Sequence, residues 1–126
     1  MAEITEELRK LIEGHALGLA TVDKSGNPHN IAVGDVKLVS KDQVIIGDVY
    51  LVETIKNIQR NKNVSLVVWN KDWEKNCIGY ELKGIAEYFS VGNWLKMAKE
   101  IHEGFPVKGA IIVTINKIKK LAVGKH

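Results

Sequence analysis

Cysteine is nearly absent: Cys77 stands alone among 126 residues. One thiol makes no internal disulfide and no multi-cysteine metal site. Such sparing use fits a reducing compartment. A surplus of either charge is also lacking. Eighteen Lys and Arg against fifteen Asp and Glu leave +3. There is no dense basic stripe, so nucleic acid is not an expected partner. The small surplus does leave room for one anionic group, such as a phosphate, at a local site. No run approaches the ~18 apolar residues of a membrane helix. Met1-Ala2-Glu3-Ile4-Thr5 lacks the basic start and apolar core of a signal peptide. The expectation is a cytoplasmic protein without membrane contact. His15, His29, His102 and His126 show no H-E-x-x-H or comparable spacing, so no metal is expected. Neither a G-x-S-x-G elbow nor a P-loop is present.

What is present reads as one domain over residues 1–126, with 45% hydrophobic and 26% charged residues. A chain of this size buries roughly two-thirds of its unfolded surface. Ile4, Leu8, Leu11 and Ile12 recur at helical spacing behind Thr5, so residues 5–13 read as a helix. The period then changes. Ala16–Val22 and His29–Val39 read as two strands around the turn Asp23-Lys24-Ser25-Gly26-Asn27-Pro28. Ile31, Val33 and Asp35 fall on one side of the second strand, and Ala32, Gly34 and Val36 on the other. A third strand spans Gln43–Asp48, and a short helix Val52–Asn61. Further strands span Val64–Trp69 and Ile78–Phe89, the latter interrupted at Gly84. Asn93 opens a helix to about Glu103. Ala110–Ile115 forms a sixth strand, and Leu121–Val123 a short tail strand. The pattern is mainly β with peripheral helices: six or seven mostly antiparallel strands closing as a barrel.

The segment Gly47–Val64 is the most informative for chemistry. A helix start offers free backbone N–H groups and the positive end of a dipole. Thr54 adds a hydroxyl, Lys56 a charge and Asn57 an amide within one turn. Such residues are commonly no more than a capped helix on a barrel rim; they are also the tools of a phosphate cradle. Gly34 inside a strand leaves room for a ligand or another backbone to approach. Cys77 reads as a small hydrophobe or as a reactive thiol. Trp94 packs on its helix's apolar face or covers a ligand from a partner subunit. Trp69 and Trp73 suit a ligand mouth or a subunit contact.

Three segments in register resemble the pyridoxamine-phosphate-oxidase-like, FMN-binding split-barrel family. They are Ala20-Thr21-Val22-Asp23 with Gly26-Asn27-Pro28-His29; Thr54 to Asn61 with Val64-Ser65-Leu66; and Gly79 to Glu87. The likeness spans about residues 10–120 and is nearer to the small single-domain FMN-binding proteins than to the larger vitamin-processing oxidases. It implies a split β-barrel and a homodimer with FMN at the subunit interface. By the same likeness, Ile31, Ala32, Val33, Gly34 and Asp35 lie along the isoalloxazine ring. Ile46, Gly47 and Asp48 meet the ring or ribityl chain. Glu53, Thr54 and Asn57 occupy the phosphate-binding helix start, and Gly79 reaches the flavin. One departure stands out. Glu53-Thr54 replaces the Arg-Lys pair of the larger oxidases, and the short tail has no counterpart of their substrate-binding Arg and His set.

The implied function is a flavoprotein, a flavin-dependent oxidoreductase or electron-transfer protein acting on a small-molecule redox substrate, with no side chain nominated as catalytic. Relatives of the fold that bind F420 or haem, and a dimeric barrel without cofactor, are the alternative expectations.

Overall fold

The computed structural model describes residues 2–122. Val123, expected in a tail strand, and His126 lie outside them. Helix α1 (Glu6–Gly14) begins where the Thr5 hydroxyl accepts the Leu8 backbone N–H at 3.3 Å. That oxygen satisfies a first-turn donor, and Glu6 and Glu7 meet the positive end of the helix dipole. Leu8 and Ile12 point from it into the core. Two hydrogen bonds tie its polar side to the sheet that follows: Tyr80 Oη donates to Glu7 at 2.8 Å, and the Leu38 N–H to Glu13 at 2.9 Å.

Strands β1 (Leu17–Val22) and β2 (Pro28–Val33) form a hairpin. Asp23 closes its turn by accepting the N–H groups of Ser25 and Asn27 at 2.8 and 2.9 Å. The Asn27 N–H leads in holding that carboxyl below the usual aspartate range.

The expected single strand from His29 to Val39 is broken. β2 stops at Val33, and β3 (Lys37–Ser40) starts anew. Asp35, at φ 51°, turns the chain between them, a conformation that aspartate tolerates better than most residues with a side chain. Val33 and Val36 on either side are both buried, so apolar patterning did not show the break.

The remaining elements are β4 (Gln43–Asp48), α2 (Val52–Arg60), β5 (Asn63–Trp69), β6 (Ile78–Phe89), α3 (Asn93–Ile101) and β7 (Gly109–Ala122). Two more details differ from expectation. Gly92, at φ 91°, holds the cap position of α3 in place of Asn93. β7 is one strand where a strand and a tail were expected, because it pairs along the whole length of β6.

Every pairing is antiparallel, in the order β2-β1-β5-β6-β7-β4-β3. The two outermost strands, β2 and β3, are consecutive in the chain and joined only by residues 34–36. Such a link reaches about 14 Å at full extension. The edges of a flat seven-stranded sheet lie about 29 Å apart. The sheet must therefore curl until its edges nearly meet, giving a split barrel with a seam between β2 and β3.

Leu19, Leu66, Leu82, Ile46, Ile111 and Val113 fill its interior, with Leu8 and Ile12 of α1 and Ile58 of α2. α3 lies outside, where Ala98 packs with Ile45 of β4 and Ala110 and Ile112 of β7. β4 and β7 are thus covered on both faces, which explains the unbroken apolar run Ala110-Ile111-Ile112-Val113. Among the described residues no helix is long and apolar enough to cross a membrane.

β6 shifts register against β7 between Lys83 and Gly84. A β-carbon at Gly84 would collide with the Thr114 carbonyl oxygen, which is backbone and cannot step aside. At Gly34 a β-carbon would meet nothing within 4 Å. Gly84→Ala is expected to lower stability by about 1–3 kcal/mol or more. Gly34→Ala should change it by less than about 0.5 kcal/mol. Urea unfolding of both variants checks the contrast.

Candidate functional site

The seam opens as a cleft of about 210 Å³. One wall is the β2–β3 link, with Ala32, Val33, Gly34 and Asp35. Gly47, Val49 and Leu51, from β4 and the loop after it, form the second. His102 and Phe105, just beyond α3, form the third. Five of the residues expected to lie at a ligand therefore meet in one place. The two glycines differ in kind. Among the described residues nothing lies within 4 Å of a β-carbon placed on Gly34, whereas the His102 imidazole lies directly against Gly47.

The rest of the expected set is distributed around this cleft. Ile31 is half-buried and lines an adjoining groove with Gly18, Asn30, Val67 and Trp69. Ile46 has its side chain in the core. Asp48, only 4% exposed, is fully engaged. Its Oδ2 accepts the Tyr88 hydroxyl at 2.6 Å, and its Oδ1 accepts the Leu51 N–H at 3.1 Å. Its carbonyl accepts the Lys108 N–H at 3.0 Å. Asp48 thereby fastens the β4–α2 loop to β6 and to the approach to β7. Burial first, then the hydrogen bond to Asp48 and its negative charge, push the Tyr88 hydroxyl up to about 12.

The loop itself is tight, since Tyr50 adopts φ 63°, an uncommon conformation for a bulky residue. It delivers the chain into α2, whose start carries no capping side chain. Thr54 lies there, 1% exposed, with no hydrogen-bond partner for its Oγ1. Glu53 and Lys56 are exposed. Asn57 is buried one turn on and donates its side-chain amide to Thr21 Oγ1 at 2.9 Å.

Gly79 is not among the cleft residues. It lies in an apolar concavity of about 360 Å³ with Trp69 and Trp73. A β-carbon there would sit 3.1 Å from the Val68 carbonyl oxygen and 3.3 Å from Trp73. The three hollows are linked. Ala32 is common to the cleft and the adjoining groove, and Trp69 to that groove and the Gly79 concavity. Register explains this, because Ala32, Gly18 and Val67 are direct cross-strand neighbours on β2, β1 and β5.

Sequence reasoning did not assign His102, Phe105 or Tyr88 to the site. No local signal marked them. Tyr88 lies forty residues from Asp48, and His102 falls on a helix end with no accompanying motif.

Residues 4–120 match the family model for pyridoxamine 5'-phosphate oxidase. An uncharacterised protein of Methanocaldococcus jannaschii is 33% identical over 131 residues, covering 98% of this chain and 85% of that one. Among solved structures, HupZ of Group A Streptococcus is 25% identical, with 94% of each chain covered and a TM-score of 0.85. An FMN-binding protein from Syntrophomonas wolfei subsp. wolfei has this fold at 18% identity, covering 97% of this chain and 88% of that one, with a TM-score of 0.85.

The Asp48–Tyr88 contact sets an alkaline limit. A hydroxyl whose value rises from 10 to about 12 on folding stabilises the fold fully below pH 10. The stabilisation is lost as pH climbs through about 12. Tyr88→Phe leaves Asp48 Oδ2 short of its donor and should cost about 1–3 kcal/mol at neutral pH. The stability gap between native protein and variant should shrink across that alkaline window, as measured by denaturant unfolding against pH.

Proposed function

The chain belongs to the pyridoxamine 5'-phosphate oxidase family, and on that premise we propose that residues 1–126 form one FMN-binding domain. In this reading it is a flavoprotein, a flavin-dependent oxidoreductase or electron-transfer protein working on a small-molecule redox substrate. FMN, when bound, carries the redox chemistry, while the protein supplies position, electrostatics and access.

The observation that carries the proposal is the pairing of an open glycine with an orphaned hydroxyl across one loop. Gly34 faces empty space at the seam, and Thr54 Oγ1 is buried without a partner at an uncapped helix start. Val49 and Leu51, which line the cleft, belong to the segment between β4 and α2 that leads to Thr54. A flat ring suits the first position, because an apolar slot with bare backbone admits it. A phosphate suits the second, where N–H groups and a hydroxyl converge. Glu53 is exposed while Thr54 is buried, so their side chains leave the helix in different directions. That separation supports a phosphate at Thr54 despite the neighbouring carboxylate.

The proposed assembly is a homodimer with the flavin between protomers, an isologous contact. The small residues Gly18, Ala20, Ala32 and Ser65 along β1, β2 and β5, beside the exposed Trp69 and Trp73, support a flat packing face there. The proposal stops short of pyridoxamine 5'-phosphate oxidation itself, since Glu53-Thr54 replaces the Arg-Lys pair of the larger oxidases.

Absorption spectra of the purified protein before and after adding FMN, followed by gel filtration, test the proposal. Flavin bands co-eluting with a dimer are the expected result. Protein that stays colourless after FMN overturns it, and deazaflavin or haem bands reassign the cofactor. Thr54→Val should weaken FMN about tenfold while leaving riboflavin, which has no phosphate, unchanged. Gly34→Val should fold normally and exclude both flavins.

A further inference from the structure

Buried polar side chains in this protein generally find partners. Asp48 has two, and Thr21 and Asn57 have each other. Among the described residues three buried side-chain atoms have none: His15 Nε2, Thr54 Oγ1 and His102 Nε2. Natively unpaired polar atoms of this sort call for an explanation in function. Thr54 has one in the phosphate reading. His15 lies at the far end of α1, with its Nδ1 3.2 Å from the Ala16 carbonyl oxygen. His102 is the one that lines the seam cleft.

Its placement is specific. His102 caps the C-terminal end of α3, and its N–H donates to the Ala98 carbonyl at 3.0 Å. The backbone is held there while the ring reaches across to β4. The imidazole lies on Gly47, where any β-carbon would collide with Cδ2 and Nε2. Glycine at 47 thus leaves room for the imidazole in this position, and a larger residue there would push the ring aside. The cleft's other walls are largely apolar: Val33, Val49, Leu51 and Phe105. Among the described residues, Asp35 and His102 are its only ionisable lining residues, and Asp35 is exposed. Apolar side chains beside exposed backbone, with one unpartnered ring nitrogen at their edge, make a form of site that can orient a flat heteroaromatic ligand.

We propose that His102 is a flavin-contacting residue whose Nε2 hydrogen-bonds the polar edge of the isoalloxazine ring in the Gly34–Gly47 cleft. This rests on the FMN reading above. An imidazole nitrogen can either donate to a ring carbonyl or ring nitrogen or accept from the ring N–H. The torsion that turns its plane is broad, so Nε2 can leave the Gly47 backbone for the ligand. His102 thereby orients the ring, while Thr54 holds the other end of the molecule.

Protein labelled with nitrogen-15 at histidine is titrated with FMN and, separately, with riboflavin. The His102 Nε2 resonance, assigned by its loss in His102→Gln, should shift with both flavins, while those of His15 and His29 stay in place. His102→Ala should weaken both flavins by the same factor, about tenfold. His102→Gln keeps a side-chain donor and should recover most of that loss. An unmoved His102 resonance in flavin-saturated protein overturns the assignment and leaves FMN binding intact. A loss confined to FMN would place His102 at the phosphate and also overturn it. Native protein that binds neither flavin removes this proposal together with the cofactor reading.

Discussion

The three residues between β2 and β3 are the constraint on which the rest of the structure depends. They join the two outermost strands of a seven-stranded sheet, and so short a tether forces the sheet to curl. Curling creates an inside, and the apolar residues that alternate along β1, β5 and β6 fill it. It also creates a seam where two strand edges approach without pairing. Unpaired edges are where a ligand or a second chain finds free backbone groups. The cleft lies at that seam because the tether, with Gly34 and Asp35, forms one of its walls.

Around the seam, satisfied and unsatisfied groups divide the work. The carboxylate of Asp48 takes the Tyr88 hydroxyl and the Leu51 N–H. A buried, doubly bonded carboxylate is costly to disturb. It fixes where β4 ends and how the chain enters α2. Asn57 and Thr21 perform the same service between α2 and β1. Against this fastened frame, the bare hydroxyl of Thr54 and the bare nitrogen of His102 are exceptions.

How much of this could be read from the chain varies residue by residue. Thr5 as a cap and the Asp23–Pro28 turn were legible, since each is written in adjacent residues, whereas the interruption expected at Gly84 is a register shift within one continuous strand. Gly34 was legible as a place of close approach, while Gly47 entered only through the family likeness. Gly34 lies under open space and Gly47 under an imidazole. The split between β2 and β3 was hidden because Val33 and Val36 keep an apolar pattern through a turn made by Asp35. Gly79 read as part of the same set, yet it packs under Trp69 and Trp73 in a separate hollow.

By itself the sequence determined which segments are strands and helices and where most turns fall. It also determined that the product is mainly β with its helices at the periphery. These follow from side-chain period and turn chemistry, which act between residues a few positions apart. Only the tertiary structure decided which strands are neighbours, that β2 and β3 face each other across a seam, and which polar groups find partners. Tyr88 meets Asp48 across forty residues, and His102 meets Gly47 across a still longer stretch. Such contacts depend on how far the sheet curls, which is set by the barrel as a whole and by no local run of residues.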